Sequence, residues 1–157
     1  MGYNDGLRQV AETLPIKAGK ILVTGATGLI GSCCIDALLY ANEYCGCRFE
    51  IFALGRSQEK ISKRFKGKVT PVVQDVVMPL TLDVVFDYII HAASNADPKM
   101  YALQPAETIL TNVIGTKNVL EYCKKNIDTR LLLTSTFEVY GKIDGINSKD
   151  RKSGSAG

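Results

Sequence analysis

No run of about 18 uninterrupted apolar residues occurs in the 157-residue chain, which excludes a membrane-spanning helix. The opening residues Met1-Gly2-Tyr3-Asn4-Asp5 lack a basic stretch leading into an apolar one, so no secretory signal is expected there. Excess charge is scarce as well. Nineteen Lys and Arg stand against 16 Asp and Glu, a net charge of +3 that is evenly spread and gives no footing for nucleic acid. Histidine occurs once, as His91. The five cysteines (Cys33, Cys34, Cys45, Cys47 and Cys123) are odd in number and have neither disulfide-scaffold nor zinc-ribbon spacing. They read as reduced thiols of a cytoplasmic protein. Cys45-Gly46-Cys47 is the one pair that invites a metal. With a single His and no second Cys pair nearby it reads as a loop after a helix, and no metal site is expected. Internal repeats are absent too.

What the chain does have is 46% apolar and 22% charged residues, at a common single-domain length. That content buries a core without staples and is too apolar for a disordered chain. Short aliphatic runs recur: Ile21-Leu22-Val23, Phe49 to Leu54, Val69 to Val73, Tyr88 to Ile90 and Leu131 to Leu133. Runs of this kind are buried parallel strands. Helical patterns lie between them. Ile30, Cys34, Leu38 and Ala41 fall on one expected inner face, and Ile109, Val113, Leu120 and Cys123 on another. Ser57 to Phe65 is a shorter, charge-rich helix candidate. Strands alternating with helices predict an α/β domain with a doubly wound, Rossmann-like parallel sheet. The expected organisation is an N-terminal helical extension over 1–19 (Leu7, Val10, Ala11 and Leu14, ended by Pro15), a dinucleotide-binding domain over 20–141, and a flexible tail over 142–157.

The sharpest signal follows the first strand: Thr24-Gly25-Ala26-Thr27-Gly28-Leu29-Ile30-Gly31, then a helix. Gly25 permits the tight strand-to-helix turn, Gly28 lets main chain approach a pyrophosphate, and Gly31 lets the helix lie close on the strand. The helix start offers free N–H groups and a positive dipole end to phosphate. The strand before and the amphipathic helix after supply the context that makes such a motif specific.

The spacing G-x-x-G-x-x-G resembles the short-chain dehydrogenase/reductase superfamily, in particular its extended branch of NAD(P)-dependent nucleotide-sugar epimerases, dehydratases and decarboxylases. Further segments carry the resemblance in the family's order over about 18–141. Gln74-Asp75-Val76 resembles the stretch with the adenine-contacting Asp. Asp87 to Ser94 resembles the fourth strand and the loop beside the cofactor. Thr111-Asn112-Val113-Ile114-Gly115-Thr116 resembles the helix with a structural Asn, and Leu133 to Gly141 resembles the fifth strand and catalytic loop. The resemblance covers only the family's N-terminal portion, so the sheet is expected to be incomplete. It implies cofactor contacts from Gly25, Thr27, Gly28, Leu29, Ile30, Gly31, Arg56, Asp75, Val76, Ala92, Ala93, Ser94, Asn112 and Thr134.

A carboxylate ending the second strand accepts hydrogen bonds from a ribose 2′-hydroxyl and favours NAD, whereas a nearby Arg pairs with a 2′-phosphate. Here the second strand ends Ala53-Leu54-Gly55-Arg56-Ser57, with Gly55 where NAD-preferring members often carry an acid. The expected cofactor is NADP, with NAD the alternative. An Arg56 that merely stacks on adenine would serve either.

The resemblance also implies a Ser or Thr that bonds the reacting sugar oxygen, matched by Thr136. A Tyr-x-x-x-Lys pair should follow about two dozen residues later, and it has no counterpart in the chain. An isolated phenol, with its pKa near 10, is a poor base at neutral pH without a nearby cation. Thr136-Phe137-Glu138 resembles the catalytic triplets of 4,6-dehydratases and UDP-glucuronate decarboxylases. Phe137 cannot donate a proton, so the dehydratase acid is lost, while Glu138 remains either a base or an inert strand-end carboxylate. The expected parent chemistry is epimerase or decarboxylase action on a nucleotide sugar through a transient 4-keto sugar, by reversible hydride transfer. This chain alone is expected to be inactive. The alternatives are a non-catalytic NADP-sensing or partner-binding module and an NADP-dependent carbonyl reductase. Family members dimerise through two helices, one of which would carry the missing pair, so a homodimer stays an open expectation. His91, ending a buried strand, reads as structural or as part of the cofactor rim rather than as an acid/base.

Overall fold

Five aliphatic runs become five parallel strands: β1 (Ala18–Thr24), β2 (Arg48–Gly55), β3 (Thr70–Val73), β4 (Tyr88–His91) and β5 (Arg130–Leu133). They are drawn from a computed structural model that describes residues 2–94 and 103–135. The sheet order is β3-β2-β1-β4-β5. The order therefore reverses between β1 and β4, and a crevice opens at the carboxyl ends of strands where the winding switches direction. In register, Thr24 stands beside Leu54 on one side and His91 on the other. β1 starts at Ala18, two places earlier than expected, and Ile21, Leu22, Val23 and Thr24 are all buried. Burial on both faces is why its sequence is a continuous apolar run rather than an alternating one.

Four helices occur among the described residues, α1 (Tyr3–Thr13), α2 (Leu29–Tyr44), α3 (Gln58–Phe65) and α4 (Pro105–Lys125), and the last three cover the sheet. On one face Ile21, Val23, Phe49, Ile51 and Ala53 pack with Ile35, Leu38 and Ala41 of α2 and with Ile61 and Phe65 of α3. On the other, Leu22, Leu54 and Ile89 lie under Val119 and Tyr122 of α4, with Phe86 between. Each fully buried aliphatic side chain contributes about 1.5–3 kcal/mol. α3 begins at the Ser57 N-cap, whose hydroxyl accepts the Lys60 N–H at 3.3 Å. α1 lies outside α2, with Ala11 fully buried. Its Tyr3 hydroxyl donates to Asp36 of α2 at 2.5 Å, and Arg64 of α3 pairs with the same carboxylate.

Two helices turn differently from the sequence expectation. In α2 the buried face carries Gly31, Ile35, Leu38 and Ala41, Cys34 is half-buried, and Ile30 is exposed. Gly31 sets the phase, because a Cβ there would collide with the Gly25 carbonyl oxygen. In α4 the buried face carries Thr108, Gly115, Val119 and Tyr122, while Ile109, Val113 and Leu120 face outward and Cys123 is half-buried. Again a small residue decides. A Cβ at Gly115 would stand 2.8 Å from Val76 Cγ1, and Tyr122 reaches across to donate its hydroxyl to the Val84 carbonyl. α4 is apolar on two sides, so periodicity alone could not choose between them. Cys45-Gly46-Cys47 is the turn from α2 into β2, with the N–H groups of Cys45 and Cys47 both returning to the Ala41 carbonyl and Gly46 at φ 66°. All five cysteines are free thiols. No helix among the described residues is long and apolar enough to cross a membrane.

Candidate functional site

β1 delivers the chain to Gly25 at the point where the sheet order reverses. Gly25 has φ +64°, a left-handed conformation natural to glycine. A Cβ there would lie 2.6 Å from the Ala92 carbonyl oxygen and 2.8 Å from Ala93 Cα. The ends of β1 and β4 thus meet main chain to main chain, with no room for a side chain between them. The turn is closed by the Gly28 N–H donating to the Gly25 carbonyl at 2.9 Å, and anchored to β2 by the Ala26 N–H donating to the Leu54 carbonyl at 3.2 Å. Gly28 is the N-cap of α2 and has no side chain with which to bond the first-turn N–H groups. Those of Leu29, Ile30 and Gly31 have no partner within the helix, so they are left for a ligand or solvent.

This turn floors a cleft of about 250 Å³. Gly25, Thr27 and Gly28 form its base, and Leu54, Gly55 and Arg56 at the end of β2 form one wall. Gln74, Asp75 and Val76 after β3 form a second wall. Ala92, Ala93 and Ser94 after β4, with Thr111 of α4, complete it. Of the residues singled out from sequence, Gly25, Thr27, Gly28, Arg56, Asp75, Val76, Ala92, Ala93 and Ser94 line this one space. Leu29 and Ile30 turn their side chains to solvent and Gly31 is buried under the turn, which leaves these three only their main chain to offer. Asn112 is exposed, and its carbonyl accepts the Thr116 hydroxyl. Thr134 donates both its hydroxyl and its N–H to the His91 carbonyl, at 3.0 and 3.1 Å, and lies outside the cleft wall. Thr136 and Glu138 lie outside the described residues.

Leu54, Gly55, Gln74 and Thr111 line the cleft without having been singled out as contacts. Three of them adjoin residues that were. Thr111 replaces Asn112 because Gly115 fixes the turn of α4, and that phase was the missing signal.

The wall after β3 is braced from two sides. Asp75 Oδ1 accepts the Val77 N–H at 3.1 Å, and Asn118 of α4 donates to the Val76 carbonyl at 3.0 Å. Gln74 Nε2 donates to the Pro79 carbonyl at 2.9 Å. Beneath the base, His91 lies between two threonines, Nδ1 to Thr24 Oγ1 at 2.6 Å and Nε2 to Thr116 Oγ1 at 3.1 Å. Burial pushes its pKa below the ordinary histidine value, so it is neutral at pH 7. Arg56 is exposed at the cleft mouth and joins no salt bridge among the described residues.

A glycine turn that excludes a Cβ, a capless helix start and a cleft at the sheet's switch point fit a dinucleotide, whose pyrophosphate main-chain N–H groups hold. Comparison with known proteins agrees. The profile of the NAD dependent epimerase/dehydratase family matches residues 21–156. The chain belongs to this family. It is 37% identical over 125 residues to UDP-glucuronic acid decarboxylase 2 of Arabidopsis thaliana, a match that covers 80% of this chain and 27% of that protein. Decarboxylase 6 of the same plant is 39% identical over 123 residues, with 78% and 35% covered. UDP-glucuronic acid decarboxylase 1 of Danio rerio is 38% identical over 122 residues, with 78% and 28% covered. The chain thus spans about a third or less of the length of these relatives. Among solved structures, a UDP-galactose 4-epimerase superposes with a TM-score of 0.67 at 24% identity, covering 81% of this chain and 41% of that one. A UDP-glucose 4-epimerase of Thermus thermophilus in complex with NAD gives 0.59 at 22% identity, covering 74% and 37%. At these identities the likeness is one of fold.

Proposed function

We propose that this chain is the dinucleotide-binding portion of a nucleotide-sugar-modifying enzyme of the decarboxylase or epimerase type, and that it prefers NADP. The observation that carries the reading is the Gly25 turn, pressed so closely on Ala92 and Ala93 that only main chain can face a ligand there. When bound near the Gly25 turn, the nicotinamide would supply a reversible hydride acceptor for chemistry that passes through a transient 4-keto sugar. This chain's residues hold and orient. The α2 start offers its free N–H groups to the pyrophosphate, and Asp75, with Oδ1 already engaged, keeps Oδ2 for the adenine end. The family's proton-transferring pair, Tyr-x-x-x-Lys, occurs nowhere in the 157 residues, so the chain by itself binds coenzyme and turns nothing over. Thr136 and Glu138 are proposed to meet the sugar.

The NADP preference rests on Gly55, which offers no carboxylate to a ribose 2′-hydroxyl, and on Arg56 beside it at the cleft mouth. A charged hydrogen bond from Arg56 to a 2′-phosphate is worth about 1.5–3 kcal/mol, roughly a ten- to hundredfold change in affinity. Titration calorimetry with NADP and NAD is the test. NADP should bind more tightly, and Arg56→Ala should erase most of the difference by weakening NADP alone. Equal losses for both dinucleotides would assign Arg56 to adenine stacking and reject the preference. If neither dinucleotide bound, the reading as a whole would be rejected. A second assay, UDP-glucuronate with NADP or NAD followed by chromatography of the nucleotide sugars, is expected to show no turnover by this chain.

A further inference from the structure

His91 is the chain's one histidine and is 2% exposed, yet it belongs to no wall of the cleft. Its surroundings fix where its proton sits. The Thr116 hydroxyl spends its hydrogen on the Asn112 carbonyl, at 2.6 Å, one turn back along α4. Thr116 Oγ1 can therefore only accept from the imidazole, which places the proton on Nε2. Nδ1 is then bare and accepts the Thr24 hydroxyl at 2.6 Å. With its hydrogen so directed, Thr24 Oγ1 keeps its lone pairs for the Ala93 N–H, 3.2 Å away. Every donor in the series Ala93, Thr24, His91, Thr116 and Asn112 points the same way, so one misplaced proton breaks the whole. The series starts at the main chain that meets Gly25 and ends in α4, crossing from β4 to β1 on the way.

We propose that His91, held as the Nε2–H tautomer between Thr24 and Thr116, is a positioning residue that sets the Ala92-Ala93 main chain against the Gly25 turn. Through it α4 controls the shape of the dinucleotide cradle. The inference rests on the dinucleotide reading for its consequence, but its geometry can be judged separately. Thr116 touches no part of the cleft, so its substitution isolates the effect. Thr116→Val keeps the volume and removes the acceptor, which strands the Nε2–H in a buried place. Thr116→Ser keeps the hydroxyl.

The experiment labels the protein with 15N-histidine and, separately, uniformly with 15N, then measures dinucleotide binding by calorimetry. The single imidazole should show a protonated Nε2 and an unprotonated Nδ1 at pH 7. T116V should shift the Gly25 and Ala93 amide resonances and weaken NADP and NAD alike by roughly tenfold, while T116S keeps the wild-type resonances and affinity. An Nδ1–H tautomer would overturn the inference. So would a T116V protein whose Gly25 and Ala93 amides stay in place, whether or not a dinucleotide binds. A wild-type chain that binds neither dinucleotide would reject the functional reading, and the inference would then stand or fall on the tautomer and those two amides. A merely structural Thr116 would lower thermal stability and leave tautomer, amides and affinity unmoved, which also overturns it.

Discussion

Gly25 carries two demands at one position, a left-handed φ and the absence of any atom where a Cβ would be. Gly25→Ala should therefore cost about 1–3 kcal/mol of stability. It should also reduce dinucleotide affinity well beyond that of a distant control such as Gly6→Ala, where a Cβ meets nothing within 4 Å. Urea unfolding and calorimetry on the same samples read both effects. His91 makes a second residue-scale prediction. Burial lowers its pKa in the folded chain, whereas the unfolded chain takes up a proton near the ordinary 6.5. The unfolded state then binds more protons as pH falls below that value, so stability is full above about pH 6.5 and declines toward pH 5. Urea midpoints at pH 7.5 and 5.5 should differ by more in the wild type than in His91→Asn. Gly25 and Gly31 were legible in the sequence because at each of them main chain stands where a Cβ would be. The His91 series was not, because Thr24, His91 and Thr116 are distant in sequence and hydroxyl groups leave no periodic trace.

At the scale of elements, the existence of every described strand and helix was readable from aliphatic runs and 3.6-residue spacing. The inward face of a helix was less so. α4 carries apolar residues around much of its surface, and the side that meets the sheet is the one where Gly115 clears Val76 and Tyr122 finds the Val84 carbonyl. A small residue chooses the face, and hydrophobicity scales rank glycine too low to show it. The same notch gives a test. Gly115→Val must displace Val76 and, through it, the neighbouring Asp75 wall, so it should weaken dinucleotide binding from a helix position that is not itself in the cleft. α1 offers the opposite case. It packs on α2 and shares Asp36 with Arg64, but contributes nothing to the cleft. Removal of residues 2–13 should lower the melting temperature by several degrees, as expected for a loss of about 1–2 kcal/mol, with dinucleotide affinity preserved.

For the molecule as a whole, the reversal of strand order between β1 and β4 does what no single residue does: it leaves a crevice with the first N–H groups of α2 at its base. The alternating pattern predicted this architecture, and the order of motifs predicted the family. The two residues expected at the substrate end, Thr136 and Glu138, fall outside the described residues, and the chain covers about a third or less of its decarboxylase relatives.

The meeting of Gly25 with Ala92 and Ala93 also bears on how such a chain can change over generations. A binding surface made from peptide groups is inherited as a fold rather than as a set of side chains. Changes among the surrounding side chains would leave such a surface in place. At Gly25 and Gly31, where main chain stands in the way of a Cβ, a single added carbon would not.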